Sequence, residues 1–554
     1  MFDTTPYHEG SLDAKICFIG EAPSTEEMRQ RRPFVGQSGQ ILNEVLQKSG
    51  IARASSMIEN LSRDPIASSS LMNGKHLSLQ GQACATDLRN RLSKSNANVF
   101  VPLGNAALCA MTGLSSITKY RGSILPSILL PDRQVIPTIH PAATLPFRGK
   151  FLWRFAIVDD LRKVKRHSFH RDIQLPTRVY HLVPTYDQTL DFLHDLLGRD
   201  KVAFDIECIN HQVSCISFAH RVDEAISIPF VPYEVPWSYN GHAWSEQQEI
   251  SIWLKIAEVL RDPTSTKCIQ NCMFDTSFLM LRNHIITRGG IADPMLRSRI
   301  MFPDLPAKLE YLTSIYTDEP YYKDDKKLWK DPGKDPLTFY RYNARDSVCA
   351  LEADNALEAI MATDEEYSTT YAETISMMEP CLFLMAKGMK IKEEELQASK
   401  IKIQQRLKDY KLQLAKVAEV PFNPTSSAQC VKYFYGVKKI RPYMKARKKK
   451  DGTQVTTATC DDKALSRIIS THGLQEARLV QEIRNLSKLL GTYMEMRYDD
   501  DGYLRCSYNI RGTTTTRLSS SKTVFETGMN MQNLDPRFKA FLIPQTEEER
   551  FGLP

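Results

Sequence analysis

The sequence predicts a multidomain α/β chain with a helical C-terminal part. An apolar strand, Ile16-Cys17-Phe18-Ile19, runs into the small-residue turn Gly20-Glu21-Ala22-Pro23-Ser24, a common way to line a pocket at the carboxyl edge of a parallel sheet. A second strand, Lys201 to Ile206, carries acidic residues at its far end, and two apolar seams at helical spacing follow residue 390. With 554 residues, about three or four domains can each bury a core.

Composition narrows the function classes. The net charge of +7 is a modest basic excess, concentrated in Arg162-Lys163-Val164-Lys165-Arg166 and Lys445-Ala446-Arg447-Lys448-Lys449-Lys450. Such runs are usually solvated, and only other nucleic-acid signals turn them into phosphate contacts. The 12 cysteines contain no Cys-x-x-Cys, so neither a disulfide framework nor a standard zinc site is indicated, and a reducing cytoplasm fits. There is no charged-then-apolar leader and no apolar run near ~18 residues, so no membrane partner is expected.

In the first 161 residues, Gly20 to Ser24 is followed by Arg32-Pro33-Phe34-Val35-Gly36, Val99-Phe100-Val101-Pro102-Leu103-Gly104-Asn105, Lys119-Tyr120-Arg121-Gly122 and Ile139-His140-Pro141-Ala142. Together these resemble the uracil-DNA glycosylase superfamily, family 4. The resemblance implies an α/β/α domain over 1–161 in which Glu21 lies in the catalytic loop, Phe34 stacks on a flipped base, Asn60 reads uracil and His140 approaches the base. A site that works on a flipped base needs an aromatic platform, a polar reader and a wedge loop together. Two departures leave activity open. Ser24 stands where the family usually has glycine, and Cys84 alone cannot hold that family's iron–sulfur cluster, so no cluster is expected. The alternative is an inactive glycosylase fold kept for DNA binding or partner docking. A basic linker is expected over 162–178.

Over 179–362 come Asp205-x-Glu207, Asn271-x-x-x-Asp275 and Tyr342-x-x-x-Asp346. In a strand, residues two apart share a face, so Asp205 and Glu207 reach one place while Val202, Phe204 and Ile206 face a core. In a helix, residues four apart are neighbours, which stacks Tyr342 beside Asp346. Among 65 acidic residues either pair alone would ordinarily be solvent-facing. The ordered set reads as a nuclease site for two divalent ions about 3.5–4 Å apart, which stabilise the attacking and leaving oxygens of a phosphodiester. The three elements resemble the Exo I, Exo II and Exo III motifs of the 3′→5′ proofreading exonucleases of family A DNA polymerases, and Trp329 to Lys334 resembles phage members. The resemblance implies a ribonuclease H-like domain with two Mg²⁺ or Mn²⁺ ions. Asp205 would bridge both, Glu207 and Asp346 would complete one shell, Asp275 would hold the second ion through water, Tyr342 would orient the attacking water, and Asn271 would contact DNA.

Over 363–554, Leu396, Ile403, Leu407, Tyr410, Leu414 and Val417 form one helical seam, and Leu479, Ile483, Leu486, Leu490 and Tyr493 a second, which would pair as a hairpin. The strings Gly512-Thr513-Thr514-Thr515-Thr516-Arg517-Leu518-Ser519-Ser520-Ser521 and Asn530-Met531-Gln532-Asn533 resemble the thumb and first palm element of family A polymerases. The resemblance implies primer-template contacts from Arg517, Thr515 and Ser519; Thr516 replaces the usual glycine. Hydroxyls and a guanidinium suit sequence-independent phosphate and minor-groove contact. The sequence ends at Pro554 before the palm aspartates of that family. The expectation is therefore the N-terminal part of a phage-type replicative polymerase, acting in the host cytoplasm on primer-template and single-stranded 3′ ends. It would remove nucleotides without adding them unless a second polypeptide supplies palm and fingers; a truncated chain is the other explanation. The rival readings are a free-standing 3′→5′ exonuclease and a non-catalytic DNA-binding or assembly subunit.

Overall fold

The structure is a computed structural model that describes residues 8–146, 150–230, 243–328, 336–448, 454–513 and 517–543. It divides into two compact units, Met1–Ile375 and Ser376–Pro554.

Besides a short two-stranded sheet at residues 72–77, the first unit holds two large sheets. In the N-terminal one, β1 (Ile16–Gly20), β2 (Met57–Asn60), β3 (Val99–Pro102), β4 (Leu125–Pro126) and β5 (Gln134–Val135) lie in the order β2-β1-β3-β5-β4. Strands β2, β1, β3 and β5 run parallel and β4 antiparallel to β5. Strand β1 is buried on both faces, as a central parallel strand must be when helices cover both sides. One cover is α1 (Gln37–Ser49), whose Ile41, Leu42, Val45 and Leu46 form a single apolar stripe. The same layer takes α2 (Trp153–His167) through Ile157, Leu161 and Val164.

The basic run 162–166, with which the expected linker 162–178 begins, forms the last turns of helix α2. The reason is local chemistry: the Lys163 ammonium is buried and donates all three of its hydrogens, to the carbonyls of Gly122 (3.0 Å), Ser314 (2.7 Å) and Thr317 (2.6 Å). Burial pushes its pKa down to about 8. Lys165 and Arg166 sit at the helix C-terminus, where cations oppose the negative end of the dipole.

The second sheet is built from β6 (Val179–His181), β7 (Lys201–Ile209), β8 (Gln212–Arg221), β9 (Glu224–Pro229), β10 (Thr266–Cys268) and β11 (Ile291–Ala292), in the order β11-β10-β7-β8-β9-β6. The long helix α3 (Pro336–Met361) covers one face. Its small residues Ala344, Ser347 and Ala350 allow close approach, and the Ser347 and Ser217 hydroxyls bond at 2.6 Å. The unit extends beyond residue 362, where the sequence placed a boundary. The buried Tyr371 hydroxyl accepts from the Asp293 amide (2.8 Å) and donates to the Ile291 carbonyl (3.2 Å), and the Arg297 guanidinium lies over its ring at 4.4 Å.

Both halves of this unit meet at a buried ion pair. The Arg121 guanidinium donates to the Asp160 carboxylate (3.0 Å from Nε) and to Ser314 Oγ (2.8 Å), and Thr138 also donates to Asp160 (2.6 Å).

In the second unit, the two apolar seams form α4 (Glu393–Val417) and α5 (Gln475–Lys488), which pack together through Leu414, Leu479 and Ile483. Leu396, Leu489 and Tyr493 continue the contact into a second cluster. Between them the chain inserts a hairpin of β12 (Met444–Lys448) and β13 (Gln454–Ala458). The second basic run is thus strand in its first part, and Lys445 pairs with Asp461 at 2.8 Å.

Removing one partner of a buried ion pair strands the other. Arg121→Met is therefore expected to destabilise the first unit by about 3 kcal/mol or more, and Arg121→Met/Asp160→Leu by clearly less; urea denaturation of both variants checks this.

Candidate active site

Strand β7 carries the first pair. Ala203 packs under α3, and Val202, Ala203 and Phe204 are all buried; Asp205 and Glu207 continue the strand toward Asp346 of α3, and Glu207 is buried as well. Opposite Glu207 the ladder slips between Val213 and Cys215, a bulge that re-aims side chains at a sheet edge.

Asp275 lies in the first turn of α6 (Cys272–Asn283). The buried carboxylate of Asp293 fixes that helix start, accepting from the amides of Asn271 (3.1 Å) and Cys272 (2.9 Å). Asn271 caps the helix at φ 62°. Tyr342 and Asp346 stand one turn apart on α3, both buried.

Oxygen atoms of Asp205, Glu207 and Asp346 lie within 4.8 Å of one another. Asp275 stands at the rim of this group, its Oδ1 accepting from the Ile206 amide at 3.0 Å. Burial, then the charges of Asp346, Asp275 and Glu207, push the Asp205 carboxyl well above its usual range. Burial raises Glu207 against the pull of Lys326, and burial pushes Asp275 up to about 8. Carboxylates crowded this way hold protons that a divalent cation can displace, so the residues fit a hard-metal site.

Four further side chains complete the centre without having been singled out from the sequence. Asn343 donates to Asp205 Oδ2 (2.8 Å) and to its carbonyl (3.0 Å), and accepts from Ser227 (3.0 Å). The Tyr322 hydroxyl donates to Asp346 Oδ1 (2.6 Å). Lys323 donates to Asp346 Oδ1 (2.5 Å) and Lys326 to Glu207 Oε2 (2.9 Å). Asn343 sits between Tyr342 and Asp346 and was within reach of the motif; nothing in the local sequence of 322–326 announces its destination.

The N-terminal pocket also assembles. A methyl group on Gly20 would come within 2.1 Å of Asn60 Oδ1 and 2.7 Å of the Phe34 ring, so the two side chains meet over a bare backbone. Phe34 adopts φ 53°, and its ring stacks with His140 at 5.7 Å. Glu21 accepts from the Ala106 amide at 3.1 Å. Asn60 is 2% exposed, and its Nδ2 has no protein partner. Ser24, which stands where the family usually has glycine, is a helix cap: its Oγ accepts from the Glu27 amide (3.3 Å) and the Glu27 carboxylate from the Ser24 amide (2.7 Å). Cys84 packs beside the apolar layer.

In the second unit the two strings meet. Ser519 opens a short strand paired with Asn509. The Ser520 hydroxyl donates to Asn530 Oδ1 (2.9 Å) and Gln532 Nε2 to the Leu518 carbonyl (3.0 Å). Arg517 is exposed, with its amide donating to Thr513 Oγ1 at 3.0 Å; Thr515 and the 329–334 stretch lie outside the described residues.

A carboxylate-lined centre on a mixed sheet, preceded in the sequence by an aromatic-lined pocket and followed in the sequence by a helical hairpin, is the domain order of a multidomain DNA-processing enzyme. Family models agree in chain order: the uracil DNA glycosylase superfamily over residues 7–162, the 3′-5′ exonuclease over 180–362 and DNA polymerase family A over 393–550. The chain therefore combines an N-terminal domain of the uracil-DNA glycosylase superfamily, a 3′-5′ exonuclease domain and a segment of DNA polymerase family A. That domain is 38% identical to the type-4 uracil-DNA glycosylase of Thermotoga maritima, over 28% of this chain and 79% of the relative. It is 30% identical to that of Saccharolobus solfataricus, over 31% and 80%. The DNA polymerase of Escherichia phage T5 is 26% identical over 65% of this chain, which spans 47% of that polymerase. Among the described residues no helix is long and apolar enough to cross a membrane.

In the cation-free protein, the raised Asp275 pKa means the folded state binds extra protons between 3.8 and about 8. This contribution to stability is lost as pH rises through that window, and a bound cation restores it. The Mn²⁺-induced rise in Tm should therefore grow between about pH 6 and pH 8.5; calorimetry showing a pH-independent rise would contradict this.

Proposed function

We propose that the chain carries the 3′→5′ editing function of a phage-type replicative DNA polymerase, removing nucleotides from single-stranded 3′ ends. The observation that carries this reading is the convergence of the Asp205, Glu207 and Asp346 oxygens beside Tyr342. Asp205, Glu207, Asp275 and Asp346 would hold two divalent ions, Mg²⁺ or Mn²⁺, which when bound supply charge stabilisation for the attacking and leaving oxygens. Asn343 fixes the Asp205 carboxylate. Burial and the neighbouring carboxylates raise the Tyr342 phenol far above its usual pKa, so at neutral pH it keeps its proton and orients the attacking water as a neutral hydrogen-bonding group. Asn271 and the exposed Phe274 (39%) flank Asp275, where an aromatic face can stack on the terminal base.

In the second unit Arg517 and Ser519, with Thr515, would track primer-template phosphates. The N-terminal pocket would accept an extrahelical uracil: Phe34 provides a flat platform and the unpartnered Asn60 Nδ2 a donor for a base carbonyl.

Asp205→Ala should lower the rate of Mg²⁺- or Mn²⁺-dependent release of 3′-terminal nucleotides by roughly a hundredfold or more; undiminished release would remove the assignment. For the pocket, excision from uracil-containing DNA at enzyme excess is the expected result, and Asn60→Ala should abolish it.

A further inference from the structure

Residues 317–328 run between the two halves of the first unit. One side of this strap belongs to the N-terminal domain. The Thr317 carbonyl accepts from Lys163 (2.6 Å), and the Tyr321 amide donates to Ser123 Oγ (3.2 Å). The Tyr321 ring stands edge-on to Tyr120 at 5.4 Å. Lys119 lies over both rings, at 4.7 and 4.8 Å, and pairs with Asp324. The other side belongs to the acidic centre, through Tyr322, Lys323 and Lys326. One short segment thus reaches both sides, with Tyr321 and Asp324 held by the N-terminal domain and Tyr322, Lys323 and Lys326 at the acids, so whatever fixes Tyr321 and Asp324 also holds the two lysines.

The charge of the centre says what those lysines meet during the reaction. Two divalent ions offset four carboxylates, and the scissile phosphodiester then adds negative charge that grows as water attacks. Lys323 is largely buried and Lys326 half-exposed (14% and 50% side-chain exposure), placing one ammonium inside the centre and one at its mouth. We propose that Lys323 and Lys326 bind the phosphates of the substrate's 3′ terminus, and that the glycosylase-like domain positions them through Lys119 and Tyr120. The N-terminal domain is then a structural arm of the nuclease, whatever its own activity on uracil. This rests on the exonuclease reading above. Lys119 and Tyr120 are positioning residues, since they reach the centre only through the strap.

The test uses the full chain and single-stranded oligothymidylate. Lys326→Ala should lower kcat/KM for digestion about tenfold while binding Mn²⁺, by calorimetry, at least as tightly as the parent, and Lys326→Arg should restore most of the rate. If the lysines merely stand in for cations, Lys326→Ala binds Mn²⁺ more tightly and digests unimpaired, which overturns the proposal. Lys119→Ala/Tyr120→Ala should lower kcat/KM by a similar factor. In the same variant, hydrogen exchange should accelerate in 318–328 while β7 and α3 stay protected; unchanged exchange and rate overturn the positioning role. A parent chain that releases no 3′ nucleotides would instead defeat the exonuclease reading itself.

Discussion

Four carboxylates that the fold gathers at the end of one strand are the constraint on which the rest of the first unit depends. Like charges at this spacing, withdrawn from water, are costly: burial first, and neighbouring charges after it, push the carboxyls of Asp205, Glu207 and Asp275 up. The surrounding structure holds them in place regardless. Asp293 caps the helix that carries Asp275, Asn343 clamps Asp205, and the small residues of α3 let Asp346 approach the sheet. Those arrangements place bonding energy around the site, while the site itself stays unfavourable until cations arrive.

The same logic explains why so much of the surrounding polar chemistry is buried. Lys163, Arg121 and Asp160 are expensive to bury singly. They are tolerated because each is fully hydrogen-bonded, and together they join the glycosylase-like domain to the exonuclease domain. The joint shares a segment with Tyr322, Lys323 and Lys326, so a contact between these domains bears on the acidic cluster as well.

Local periodicity made the placement of the clustered acids legible. Asp205 and Glu207 share a strand face, Tyr342 and Asp346 share a helix face, and the apolar seams of α4 and α5 announce a helix pair without any tertiary information. The Phe34, Asn60 and Gly20 cluster was legible only through family resemblance, since its members meet by sheet topology alone. Other parts were not legible for a physical reason. The run 162–166 looks solvated because a lysine's composition does not reveal that three carbonyls will receive its ammonium, and nothing local in residues 317–328 marks their contacts because the partners are over a hundred and fifty positions away, at Lys163, or more than two hundred, at Lys119. In the second unit, the pairing of Ser520 with Asn530 was likewise invisible, although both strings had been recognised separately.

The central claim is that the acidic centre binds a pair of divalent ions. Electron paramagnetic resonance of the chain titrated with Mn²⁺ reads this directly, because ions about 3.5–4 Å apart are magnetically coupled. The account predicts a coupled two-manganese signal as the centre fills; a spectrum of isolated Mn²⁺ at every stoichiometry would contradict it.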